Sequence, residues 1–243
     1  MTDAKEGTTT KKWFPLESNP TLMNSYVQKL GFDTSHYEFV DVYSTEEWAL
    51  SMIPQPVAAV IMLYPLTDVQ EQHRRDEAAG VPENGDSKVW FIKQRIGNAC
   101  GTIGLLHSLL NTPEGIKAAS IVPDSWLSKF YKDCPLDRAP VSKAERLEED
   151  STIETLHDSA TTDSSNQTLR GERDDDVITH FIALVHVDGG LYELDGRKKG
   201  PVYHGGTSEF SLLQDSCRIV ETFMNRDPDE MRFTILALAP KME

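Results

Sequence analysis

Residues 94–107 read QRIGNACGTIGLLH, with a glutamine six positions ahead of a cysteine and the cysteine at the point where a loop turns into an apolar helix. Cys100 could be a small buried hydrophobe, half of a disulfide, a metal ligand or a nucleophile. Three cysteines, Cys100, Cys134 and Cys217, are too few and too odd in number for a disulfide framework and suit a reducing compartment. Cys-x-x-Cys and His-Glu-x-x-His are absent from the sequence, so no metal site is expected. Cys134 and Cys217 read as buried small hydrophobes. Cys100 differs, because it falls in or near the first turn of a helix, where unpaired N–H groups and the helix dipole favour an anion. A thiol placed there has its pKa lowered toward thiolate at neutral pH. Gly101 follows and leaves room for a substrate backbone to approach.

A thiolate nucleophile needs a histidine and a group to orient it. The chain offers His36, His73, His107, His157, His180, His186 and His204. His107 lies two turns along the same helix, roughly 10 Å of rise away, and reads as a core histidine. His157 falls in a polar stretch read as a mobile loop, and His36, His73 and His204 show no evident partner. His180 opens the apolar run His180–Val187, and Asp188-Gly189-Gly190 signals a hairpin. With Asp188 and Gly189 as the central turn residues, Val187 pairs with Gly190 and His180 faces Arg197. Asp195 then shares a face with His180 as a diagonal neighbour, roughly 7–8 Å across the ladder. His186 shares that face by parity but lacks a carboxylate partner. The backbone N–H of Cys100 and the side chain of Gln94 could hold an oxyanion.

The elements that must position these groups follow from pattern. Ser18-Asn19-Pro20 caps a helix whose Leu22, Met23, Tyr26, Val27 and Leu30 keep helical spacing up to Gly31. Strands are expected over Glu38–Tyr43, Val57–Tyr64, His180–Val187, Leu191–Leu194 and Arg232–Leu238. Helices are expected over Glu46–Met52, from about residue 70, around 100–111, 124–132 and 141–150, and over Ser208–Met224. Residues 1–11 read as a flexible tail, and about 148–176, rich in Ser, Thr, Asp and Glu, as a long mobile loop. The rest, 12–243, reads as a single domain. An α/β or α+β fold follows, with one sheet covered by helices.

The formal net charge of −15 argues against nucleic-acid and anionic-membrane partners and favours positively charged ones. The longest strongly apolar run, Val57–Leu66, is too short to span a bilayer. The N-terminal residues are not read as a signal peptide, so cytoplasm or nucleus is the expected location.

The segments QRIGNACGTIGLLH (94–107), HFIALVHVDGGLYELDGRKKGP (180–201), WFPLESNP (13–20), FVDVY (39–43) and RDPDEMRF (226–233) together resemble the small, single-domain ubiquitin carboxyl-terminal hydrolases. The resemblance implies Cys100 as nucleophile, His180 as general base and acid, Asp195 as its orienting partner and Gln94 as oxyanion donor. It implies papain-like helix–sheet–helix layers around a largely antiparallel sheet, a knotted backbone, a crossover loop over the active site, and no cofactor. It implies ubiquitin as partner, with its C-terminal glycine as acyl donor, small or unfolded adducts as leaving groups, and a monomer. Leu16 and Glu17 are candidates for gripping ubiquitin's arginine-bearing tail. Two alternatives remain open: a non-catalytic ubiquitin-binding protein, and a hydrolase acting also or mainly on NEDD8.

Overall fold

In the computed structural model, residues 11–77, 80, 88–162 and 177–242 are described. Helix α1, Pro20–Leu30, begins where the Asn19 side chain accepts from the N–H groups of Thr21 and Leu22, and all five of its expected apolar positions are buried. Strand β1 (Tyr37–Asp41), the short helix α2 (Glu47–Leu50), strand β2 (Ala59–Pro65) and helix α3 (Asp68–Glu77) follow. Then come five helices: α4 (Cys100–Leu110), α5 (Glu114–Ser120), α6 (Trp126–Asp133), α7 (Pro140–Glu148) and α8 (Ser151–Thr161). The chain ends in β3 (Thr179–Val187), β4 (Gly190–Leu194), β5 (Val202–Gly206), α9 (Leu212–Arg226) and β6 (Thr234–Pro240). No helix among the described residues is long and apolar enough to cross a membrane.

The six strands form one sheet in the order β1-β6-β2-β3-β4-β5, with every described pairing antiparallel. Alternation along the central strands separates two cores. Ala59, Ile61, Phe181, Ala183 and Leu194 face one side, packed against α1, α4, α6, α7 and α8. Val60, Met62, Tyr64, Ile182 and Leu184 face the other, packed against α9. Burial on both faces is why β2 reads as a continuous apolar run. Helix α4 lies on β3 and buries all eleven of its residues. Leu105, Leu106, Leu109 and Leu110 are buried there, each contributing about 2 kcal/mol by leaving water. That burial anchors the helix carrying Cys100 at its first position.

Several expectations need correction. The loop expected over 148–176 begins instead with α8, a helix whose N–H groups at Thr152 and Ile153 are capped by Asp150. Its few apolar residues, Ile153 and Ala160 among them, fall on one buried stripe, which is enough to dock it on α1. Residues 163–176 lie outside the described residues, as do residues 1–10 of the expected tail. Lys11 is held rather than loose: its Nζ donates to the Glu148 carbonyl at 2.9 Å and pairs with Glu154 at 2.8 Å. Strand β5 and helix α5 are additions, each too short to carry a decisive period.

Candidate active site

The hairpin register joins Val187 to Gly190 and Ala183 to Leu194, which continues to the His180–Arg197 alignment expected from the turn. Asp195 lies immediately beyond β4, and its Oδ1 sits 2.7 Å from His180 Nε2. That contact fixes the tautomer: Nε2 carries the proton toward the carboxylate, and Nδ1 is the nitrogen left for another partner. The partner is Cys100, whose thiol is within hydrogen-bond reach of His180. All three residues are buried, with Asp195 at 0%, His180 at 3% and Cys100 at 6% exposure.

Burial and charge compete in this triplet. For His180 burial is the largest single influence and opposes the imidazolium. The Asp195 carboxylate and the Cys100 sulfur outweigh it and raise the ring to about 9. Burial likewise opposes ionisation of Cys100. The hydrogen bond and charge of His180, with backbone N–H groups of Phe181 and Gly101, overcome it and lower the thiol. Burial opposes the Asp195 anion too, yet His180 and the Arg197 N–H hold the carboxyl well below the usual range. Each group thus shifts the other toward its charged form, the sulfur toward thiolate and the ring toward imidazolium. Ala99 precedes α4 without a side-chain cap, so no hydroxyl or carboxylate competes for the first-turn N–H groups.

Around the triplet the chain is pinned. Asn98 adopts φ 61°, a left-handed conformation that asparagine tolerates, and its Nδ2 donates to the Trp13 carbonyl at 3.1 Å. The Gln94 N–H donates to the Gly196 carbonyl at 2.9 Å, so the glutamine and the residue after Asp195 move together. Gln94 Nε2 donates to the Ile96 carbonyl at 3.2 Å, while its buried Oε1 has no hydrogen-bond partner among the described residues. Each Nε2 carries two protons, so one remains for an oxyanion. Tyr64 stands opposite His180 in the β2–β3 register and sets its ring edge-on to the imidazole, centroids 5.8 Å apart.

The segment after Asp195 is held by α3. Arg197 pairs with both Glu71 oxygens at 2.9 and 2.7 Å, and its N–H donates to Asp195 Oδ1 at 2.8 Å. Lys198, buried, lies between Glu77 and Glu193, the latter at 2.5 Å. Glu193 also meets His204 Nε2 at 2.9 Å, which corrects the expectation that His204 lacks a partner. Sequence reading missed this network because α3 lies more than a hundred residues upstream. Its local signal is the run of three basic residues, Arg197, Lys198 and Lys199, directly after Leu-Asp-Gly.

The remaining candidates settle elsewhere. His107 is the expected core histidine: Nε2 accepts from the Ile92 N–H at 3.2 Å, and burial pushes its pKa down to about 3. His186 accepts from the Gly189 N–H inside the turn. His157, expected in a loop, is buried and hydrogen-bonded to Thr102 and the Phe14 carbonyl. Leu16 is buried against Gly101: a β-carbon at position 101 would lie 3.0 Å from its side chain. The space beside Gly101 expected for substrate is thus filled by the protein itself. Glu17, next along, lines an open groove of about 610 Å³ together with Asn24, Glu38 and Asp41. Among the described residues no cluster of His, Cys, Asp and Glu could hold a metal ion.

Residues 13–225 match the family described as ubiquitin carboxyl-terminal hydrolase, family 1. The chain is 40% identical to ubiquitin carboxyl-terminal hydrolase 3 of Arabidopsis thaliana over 99% of this chain and 100% of the relative. It is 38% identical to ubiquitin carboxyl-terminal hydrolase isozyme L1 of Sus scrofa, over 92% of this chain and 96% of the relative. In fold it is similar to the catalytic domain of Trichinella spiralis UCH37 bound to ubiquitin vinyl methyl ester. The TM-score is 0.75 and the identity 23%, over 95% of this chain and 96% of that one. The chain therefore belongs to family 1 of the ubiquitin carboxyl-terminal hydrolases, and is a deubiquitinating hydrolase of the cysteine-protease type.

Proposed function

We propose that the chain cleaves small or unfolded adducts from the C-terminal glycine of ubiquitin through a thioester on Cys100. The observation that carries this reading is the buried, continuous Cys100–His180–Asp195 set, with sulfur lowered and imidazole raised in pKa. The thiolate attacks the glycine carbonyl carbon, and the electron pair of the C=O bond moves to oxygen. The second Gln94 Nε2 proton and the Cys100 N–H receive that oxyanion. On collapse, His180 Nδ1–H protonates the departing amine or alcohol. Neutral His180 then takes a proton from water, whose oxygen attacks the thioester and frees ubiquitin and the thiolate. Asp195 keeps the ring oriented and stabilises its cationic form.

The acidic groove at Glu17, Glu38 and Asp41 suits an arginine-bearing tail, and Glu17 is only one residue from the Leu16 that packs at Gly101. The size limit on the leaving group rests on chain length. With α8 folded, only residues 162–178 connect it to the strand bearing His180, whereas a folded ubiquitin is on the order of 30 Å wide.

The test is turnover of a ubiquitin C-terminal fluorogenic amide, with covalent capture by a ubiquitin probe bearing a C-terminal electrophile. Wild type should turn over and be captured at Cys100, and Cys100→Ala should do neither. Tight ubiquitin binding without turnover, or capture at another residue, would overturn the reading. The NEDD8 counterpart run in parallel ranks the two acyl groups.

A further inference from the structure

His157 is a buried histidine that the proposed chemistry does not use, and it stands at a junction. Its Nε2 is 2.6 Å from the Phe14 carbonyl oxygen. Its Nδ1 is 2.9 Å from Thr102 Oγ1, and Thr102 Oγ1 is 3.0 Å from the Tyr26 hydroxyl. A carbonyl only accepts, so Nε2 carries a proton toward Phe14. With the other nitrogen unprotonated, Thr102 donates to Nδ1 and accepts from Tyr26. Tyr26 can always donate, since burial pushes its pKa up. The relay joins α8, α4, α1 and the N-terminal segment.

What the relay holds is the seat of the nucleophile. Thr102 is two residues past Cys100, within the first turn of α4. Phe14 belongs to a segment stitched to the turn just before Cys100: the Trp13 N–H donates to the Gly97 carbonyl at 2.9 Å, and Asn98 Nδ2 reaches the Trp13 carbonyl. Two residues further on, Leu16 packs against Gly101. Trp13 packs against the imidazole, centroids 4.5 Å apart and planes tilted by 37°, so the ring has little freedom to turn. One side chain thus fixes both walls of the helix N-terminus, the first turn itself and the strand-like segment covering it.

We infer that His157 is a positioning residue for the Cys100–His180 pair, acting through Thr102 and the Phe14 carbonyl. It touches no reacting atom. Without its two hydrogen bonds, the first turn of α4 and segment 13–16 lose their common tether, and the sulfur drifts relative to the imidazole. A displacement of about half an ångström costs on the order of tenfold in rate, since about 1 Å costs on the order of a hundredfold. The same drift weakens the hydrogen bond that lowers the thiol. The inference rests on Cys100 and His180 being the reacting pair.

The experiment follows two readouts on the full chain: kcat on the ubiquitin fluorogenic amide, and the pH midpoint of Cys100 alkylation by iodoacetamide, mapped by mass spectrometry. His157→Phe keeps the ring and its contact with Trp13 but removes both bonds. It should lower kcat about tenfold and raise the alkylation midpoint toward that of an ordinary thiol. His157→Gln carries an acceptor and a donor on one carbon, as the two ring nitrogens flank one carbon, and should recover most of both readouts. A merely space-filling role would leave the alkylation midpoint of folded protein unmoved. Thr102→Val tests the same link if His157→Phe does not fold, and should move both readouts in the same direction. Wild-type kcat and midpoint in a folded His157→Phe or Thr102→Val variant, or no recovery with glutamine, would overturn the inference. A wild-type Cys100 that already titrates as an ordinary thiol would instead sink the reading of the reacting pair.

Discussion

Replacing Asp195 with asparagine isolates what the carboxylate does for His180. Asparagine keeps the size and can still accept a hydrogen bond, but carries no charge. In the native site His180 is raised from its ordinary 6.5 to about 9, against burial that pulls the other way. At 1.36 kcal/mol per pKa unit, that rise amounts to roughly 3 kcal/mol in favour of the imidazolium, with Asp195 supplying the main favourable part. Without the charge, burial should bring the ring to 6.5 or lower. At pH 7.5 the imidazolium fraction then falls from nearly all to about a tenth. The neutral ring no longer stabilises the thiolate, so the loss compounds. The assay is kcat/KM on a ubiquitin fluorogenic ester from pH 5 to 10. Wild type should lose activity on its alkaline limb near 9, and the variant at least two units lower. Stability gives an independent check on the sign. A raised folded pKa contributes stability that is full below the unfolded value near 6.5 and vanishes as pH rises through about 9. Asp195→Asn should therefore be destabilised by up to roughly 3 kcal/mol near pH 6, and far less near pH 10. An alkaline limb unmoved by the substitution, or an equal stability loss at both pH values, would refute the reasoning.

Three further outcomes are expected. Gly196→Ala would put a β-carbon 2.9 Å from the Gln94 β-carbon and 3.0 Å from its backbone nitrogen. Neither neighbour is a flexible tip, so Gln94 must move, and kcat should fall about tenfold with the fold intact; unchanged kcat would dissociate Gln94 placement from the chemistry. Limiting iodoacetamide should label Cys100 ahead of the other two thiols, because burial raises Cys134 and pushes Cys217 up to about 12. First labelling at Cys134 or Cys217 would contradict the ion pair. Inserting Gly-Ser repeats between residues 163 and 176 should raise diubiquitin cleavage relative to the fluorogenic amide, and no rise would argue against a size limit set by that connection.

The sequence by itself determined what short-range physics controls. Asn19-Pro20 and Gly31 bracket α1 because capping and backbone freedom act within a few residues. The Asp188-Gly189 turn set the hairpin register, and period-two alternation then aligned His180 with the residue that orients it. The family resemblance was legible for a similar reason, since its two most telling segments are contiguous. What only the tertiary structure decided depends on distant packing. His157 looked solvent-bound because its neighbours in sequence are polar; it is buried because α1, α4 and Trp13 close around one stripe of α8. Gly101 looked open until Leu16, 85 residues upstream and on no shared element, filled the space. The clamp of Glu71 and Glu77 on Arg197 and Lys198 was equally hidden, since the partners of a buried charge are set by which helix the fold brings beside it.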